Sequence, residues 1–231
     1  MITYDGVRMD SIASVQIEDI RISPIKFEPV ARSRPVKAGS DFVRNRKGTR
    51  TVVVTFVLLD ENEVNRQQSI IELCAWAKDD KEYKIQLDNY PGLFLTGICT
   101  QKPEVSLREW WQSIQFVFTC FNDPFWNSVS EKSASCGTDF YVLGDAPPLM
   151  RIERTLGSSA SNQSYGLNGN TITFSTIPAG NLVIDLDKET AVVGSTDIMQ
   201  YYNMNSRFLV PKTGSQKVTG TGTVKYRERW E

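Results

Sequence analysis

The stretch WWQSIQFVFTCFNDPFW, residues 110–126, decides how the chain is read. Over its first twelve residues the even positions Trp110, Ile114, Phe116, Phe118 and Cys120 are mostly apolar. The odd positions Ser113, Gln115 and Thr119 are mostly polar. A two-residue period puts those sets on opposite faces of a strand, one of them facing a core. Asn122-Asp123-Pro124 then stops the strand, because proline has no N–H for a ladder and Asn and Asp favour turns. One sheet-based domain closes here and a second begins beyond it. Trp110 and Trp111 are neighbours and so face opposite ways, which places Trp111 outside this domain's own core, at a subunit or domain contact.

Upstream, residues 84–87 and 93–100 read as strands joined by Asp88-Asn89-Tyr90-Pro91-Gly92, a connection rich in turn formers. TVVVTFVLL, residues 51–59, is the clearest strand of all, apolar on both faces and therefore central in a sheet and covered on each side. Asp60 is the expected helix cap, with Glu63 three residues on completing a capping box. From Glu63 to Lys78 the residues Val64, Ile70, Ile71, Cys74 and Ala77 recur at three- and four-residue steps, widened by Leu73 and Trp76. That pattern predicts a helix lying on the sheet. Residues 2–4 and 12–22 are further strand candidates, with Tyr4-Asp5-Gly6 as a turn. The first domain is thus α+β, a partly closed, split-barrel-like sheet with one helix.

Between Arg21 and Arg50 there are nine basic residues against two acidic ones, a net +7 in thirty residues, although the whole chain carries only −1. The rest of the chain therefore carries −8. Residues from about 24 to 50 contain prolines, glycines and few large apolar side chains, so they cannot pack tightly. A loop this long is usually functional or disordered. Three readings stand: a solvated loop, an arm that meets the acidic surface of a neighbouring subunit, or a DNA contact, for which no reading motif is present. The arm reading names Arg32, Arg34, Lys37, Arg44, Arg46, Lys47 and Arg50 as candidate inter-subunit residues.

Downstream, residues 127–144 are thin in large aliphatics and suit a linker with a short strand at 140–143. After Asp145-Ala146-Pro147-Pro148 come short β-prone segments at 149–156, 170–174, 181–186, 190–193, 207–210 and 216–226, separated by Gly, Asn, Ser and Pro. Frequent turns with no helical stretch between them predict an antiparallel β-sandwich. The expected domains are residues 1–136 and 137–231, and the fold class is mainly β.

A 40% hydrophobic content supports real cores, and near-zero net charge gives no global pull toward nucleic acid or membrane. MITYDGVRMD has no apolar core behind a basic start and so does not read as a secretory signal. The longest near-apolar run, residues 52–59, is far short of the ~20 residues that span a bilayer. Cys74, Cys99, Cys120 and Cys136 lack CxxC spacing, and with no histidine in the chain a zinc site would need all four. The other reading is buried thiols in a reducing cytoplasm. Without histidine there is no Ser-His-Asp or Cys-His arrangement and no HExxH site. Asp185 and Asp187 remain as a carboxylate pair for glycoside hydrolysis or calcium, although the loop lacks calcium-site spacing and reads first as a hairpin tip. Tyr165, Tyr201 and Tyr202 are open to two readings, sugar stacking or packing. No nucleotide-binding glycine motif is present. No cofactor, metal or catalytic residue is expected.

The order of these features resembles the siphophage distal tail protein family. A YDG turn, a long basic arm, RTVVVTFVLL, a helix ending near Cys74-Ala75-Trp76 and IQFVFTCFNDPFW follow one another as in that family's first domain. The second half is similar to its galectin-like sandwich, down to a last strand at Lys225-Tyr226-Arg227-Glu228-Arg229-Trp230. The resemblance implies a structural virion protein rather than an enzyme. It implies a hexameric ring at the baseplate or tail tip, joining the tail tube to the host-adsorption machinery and assembled in the host cytoplasm. Expected partners are further copies of the chain, a tail tube protein, and a hub, tail-associated or receptor-binding protein, with no specific nucleic acid and no membrane insertion. A second domain of 95 residues is compact beside relatives carrying sugar-binding insertions. The alternative reading is a carbohydrate-binding adaptor that recognises host-surface glycans.

Overall fold

The structure, a computed structural model, describes residues 1–33, 40–60, 62–103 and 114–231, with the backbone alone over 27–33 and 40–47. Strands hold 54% of the residues and one α-helix is present among those described, so the fold is mainly β. The chain divides into two compact units, Met1–Trp126 and Asn127–Trp230.

In the first unit the elements are β1 (Ile2–Tyr4), β2 (Val7–Arg8), β3 (Val15–Ile22), β4 (Phe27–Ser33), β5 (Ser40–Lys47), β6 (Arg50–Leu58), α1 (Glu63–Trp76), β7 (Tyr83–Leu87), β8 (Leu93–Gln101) and β9 (Ile114–Cys120). Seven of the strands build one antiparallel sheet in the order β3-β6-β9-β8-β7-β1-β2. The alternation read at the outset has its counterpart in β9, where Phe116, Phe118 and Cys120 are fully buried. In register, Val54 lies opposite Phe116 and Val52 opposite Phe118, so β6 and β9 present one apolar face together. β6 is central in the ladder, between β3 and β9.

Helix α1 starts two residues later than the capping box predicts. Asn62, in extended backbone, accepts the Val64 N–H on its side-chain oxygen at 2.8 Å, while the Asp60 carboxylate accepts from the Ser69 hydroxyl at 2.9 Å. The helix also buries a narrower stripe than the sequence suggests. Leu73 and Trp76 are buried, whereas Val64 and Ile71 are 69% and 63% exposed. At about 100° per residue, positions 73 and 76 share one side and positions 64 and 71 the opposite one. The Trp76 ring packs edge-on against Tyr4, Phe116 and Phe118 at 5.7, 6.1 and 6.2 Å between centroids. Its indole N–H donates to the Val7 carbonyl at 3.0 Å, which pins the last turn to the sheet.

Strand β10 (Trp126–Ser128) carries the chain onward. The second unit contains β11 (Lys132–Ser135), β12 (Asp139–Val142), β13 (Ala146–Leu156), β14 (Ala160–Leu167), β15 (Asn170–Ile177), β16 (Gly180–Asp185), β17 (Thr190–Val193), β18 (Thr196–Asp197), β19 (Gly214–Lys217) and β20 (Thr223–Trp230). Its main sheet is antiparallel, ordered β11-β20-β13-β16-β17-β18, with β14–β15 and β12–β19 as separate pairs. Met150, Ile152, Leu182, Ile184 and Val224 of the main sheet share a core with Tyr165, Leu167, Ile172 and Phe174 of the β14–β15 hairpin. Three local readings change. Residues 207–210 form no strand, and the Arg207 N–H there donates to the Thr171 carbonyl at 3.0 Å. The segment read at 216–226 is two strands, because Gly220 and Gly222 adopt positive φ between them. β14 went unread because ASNQSYGL is polar and contains glycine.

Candidate assembly surface

The basic stretch is built as an extension of the main ladder of the first unit. The β3–β6 pairing ends with Ile22 opposite Val52. Ser23 N–H then donates to Thr51 O at 2.8 Å, Lys26 N–H to Thr49 O at 3.1 Å, and Gly48 N–H to Lys26 O at 2.7 Å. The Thr51 N–H also donates to the Ser23 hydroxyl oxygen at 2.8 Å. β4 and β5 pair from Phe27 opposite Lys47 to Ser33 opposite Ser40. One two-stranded ribbon therefore runs out of the sheet, and at ~3.3 Å per residue the seven residues of β4 span roughly 20 Å. The pivot is Gly48, where a Cβ would collide with the Lys26 carbonyl oxygen.

Charge is divided along the same lines. Residues 1–20 and 51–126 hold seven basic and fifteen acidic side chains, net −8, while residues 127–231 hold ten of each. All of the compensation for the +7 of residues 21–50 thus lies on the unit that carries it. Such a distribution suits association between copies through that unit.

The side chains weighed for chemistry are engaged structurally. The Asp185 carboxylate accepts the backbone N–H groups of Asp187 and Lys188, both at 3.1 Å, which closes the β16–β17 turn. Asp187 lies 3.4 Å from the Arg229 guanidinium. Tyr165 is 1% exposed and cannot offer a ring face to a sugar. The Tyr202 ring packs against Phe174 and Phe208. Burial pushes the thiols of Cys99 and Cys120 up to about 11 and about 12, so neither is a thiolate nucleophile near neutral pH. Among the described residues no group of three or more His, Cys, Asp or Glu is placed to hold a metal ion. A polar cleft of about 190 Å³ in the second unit is walled by ion pairs: Arg151 forks onto Glu131 at 2.8 and 2.9 Å and bonds Glu153 at 2.6 Å. Lys225 and then Arg151 hold the Glu153 carboxyl below its ordinary value.

No protein-family model matches the chain, and no curated protein matches it by sequence. Among solved structures, it is similar to the Dit protein of SPP1, solved as a paradigm of the hub adsorption apparatus in phages that infect Gram-positive bacteria. The TM-score is 0.78 at 18% identity, and the match covers 100% of this chain and 98% of that one. The fold is that of a distal tail protein. Two structures of the phage P2 baseplate in its activated conformation, with Ca and with Sr, give TM-scores of 0.46 and 0.43 at 8% and 9% identity. Each match covers 95% of this chain and 91% of that one.

On this distal tail fold the sequence-predicted assembly residues fall into three groups. Arg32, Arg44, Arg46 and Lys47 belong to the paired strands β4 and β5. Arg50 is the first residue of β6, 4% exposed and opposite Cys120, so it is part of the body of the sheet. Arg34, Lys37 and Trp111 lie outside the described residues. The sequence reading missed Gly48 and the outward face of α1. A usable signal for the latter was present, since α1 carries apolar residues on two sides and a helix covering one sheet needs only one.

Proposed function

We propose that the chain is a siphophage distal tail protein: a structural virion component, not an enzyme, that forms a hexameric ring joining the tail tube to the host-adsorption apparatus. The observation that carries the reading is the end-to-end match to SPP1 Dit, which extends over both units rather than one shared module. In this reading the first unit, Met1–Trp126, forms the ring and the second, Asn127–Trp230, is a galectin-like domain directed outward. Its partners are other copies, the tail tube protein, and a hub or receptor-binding protein. Assembly takes place in the host cytoplasm. The charge division described above suits a self-complementary ring-forming unit.

Light scattering coupled to size exclusion at moderate salt tests the ring. The expected mass is six times that of the 26.1 kDa chain. A monomer at every accessible concentration, unchanged by the tail tube protein, overturns the reading.

A further inference from the structure

In the second unit, the edge of β15 that does not pair with β14 is closed by a segment that is not a strand. Residues 201–207 run along it. The Ser175 hydroxyl donates to the Tyr201 carbonyl at 3.3 Å, the Asn203 N–H to the Thr173 carbonyl at 2.9 Å, and the Arg207 N–H to the Thr171 carbonyl at 3.0 Å. The far end of this strap is fastened by a side chain. Asn168, at the tip of the β14–β15 hairpin, donates from its amide to the Val210 carbonyl at 3.0 Å and to the Gln216 side-chain oxygen at 2.8 Å. A carbonyl can only accept, so the atom facing Val210 is the amide nitrogen. Asn168 and Gly169 are the two turn residues, with φ of 52° and 82°, and both are exposed. Among the described residues no hydrogen bond engages the Gly169 N–H.

We propose that Asn168 is a self-modification site whose conversion unfastens the strap irreversibly. While the strap is in place, its two acceptors hold the amide and keep it from turning toward Gly169. When the strap lifts, the amide is released, and glycine has no side chain to hinder approach. The Gly169 nitrogen loses its proton and attacks Asn168 Cγ. A new N–C bond forms, the Cγ–Nδ2 bond breaks, and Nδ2 takes up a proton and leaves as ammonia. Water then opens the succinimide ring at either carbonyl, leaving aspartate or isoaspartate. The product carries a carboxylate where the amide was, and a carboxylate only accepts. Gln216 can turn its own amide toward it, but the Val210 carbonyl then faces a second acceptor, so the strap does not refasten. The edge of β15 is left with unpaired backbone groups, to which another extended chain can add. The reaction needs only this unit and water, so it is independent of whether copies assemble.

Ageing the full chain at mildly alkaline pH, followed by peptide mass spectrometry and hydrogen exchange, tests the proposal. The peptide carrying Asn168 should gain the small mass that comes with replacing NH2 by OH. It should do so at least about tenfold more slowly in the folded chain than in urea, because attack waits on local opening. Arg207→Pro, which deletes the N–H bonded to Thr171, should bring the folded rate toward the rate in urea. Asn168→Asp installs the product directly. Residues 202–210 of that variant should exchange at least about tenfold faster than in fresh wild type, with circular dichroism unchanged, and aged wild type should follow in proportion to its conversion. Equal rates in folded and urea-unfolded wild type would show that the strap is no guard. No conversion in the folded chain, with or without Arg207→Pro, overturns the site itself. Exchange at 202–210 that is no faster in the converted chain and in Asn168→Asp overturns the unfastening.

Discussion

At the scale of single residues, Trp76 does more to hold the first unit than any other side chain of α1. Its ring touches Tyr4, Phe116 and Phe118, and its N–H is satisfied by the Val7 carbonyl. Trp76→Ala removes those contacts, leaves that carbonyl without its donor, and opens a cavity between helix and sheet. A loss of about 3–5 kcal/mol is expected, read as an earlier first transition in urea unfolding. Glu153 supports the second unit by charge instead. Lys225 and Arg151 stabilise its ionised form, so its folded pKa lies below the unfolded one. The stability it adds is therefore complete above the ordinary Glu value and is lost as pH falls through the depressed folded value. Wild type should melt higher than Glu153→Gln at pH 7, and the two curves should converge toward pH 3. A constant gap across that range would show that the ion pairs are not the cause.

At the scale of elements, the hairpin depends on its hinge. Gly48→Ala places a methyl against the Lys26 carbonyl and breaks the Gly48–Lys26 hydrogen bond. The body of the sheet, whose core lies elsewhere, should keep its melting temperature to within a few degrees, while assembly falls measurably in light scattering. Loss of both together would mean that the ribbon is part of the folding core. The strands were legible where one face was apolar and the other polar, as in β9, or where both were apolar, as in β6. They were not legible where apolar residues come only at one end of the strand, as in β14, whose buried Tyr165 and Leu167 follow the polar run ASNQS. The helix was legible in extent but not in orientation. Val64, Ile71, Leu73 and Trp76 all satisfy three- and four-residue spacing, and only packing against Tyr4 and Phe118 reveals which side is covered. The charge excess of residues 21–50 was plain from composition, whereas the ribbon that presents it depends on Gly48 and Ser23, residues with no distinctive pattern of their own.

At the scale of the whole molecule, the net charge of −1 conceals +7 in residues 21–50, −8 in the rest of the same unit and a neutral second unit. Association driven by that division should be sensitive to salt. Raising ionic strength from about 0.1 M to about 1 M shortens the screening length from about 10 Å to about 3 Å, and the assembled mass should decline over that range. An assembly indifferent to salt would assign its stability to apolar contact alone.

The continuity of ribbon and sheet also determines how this chain bears mechanical load. A pull on β4–β5 passes along both strands into β3 and β6, and β6 is matched with β9 at seven positions, from Arg50 opposite Cys120 to Phe56 opposite Ile114. Hydrogen bonds between antiparallel strands lie across the strand direction, so tension along β6 strains them all at once in shear instead of peeling them in turn. The hairpin is thus anchored as a tether, and a force applied through it is spent sliding one core strand past another.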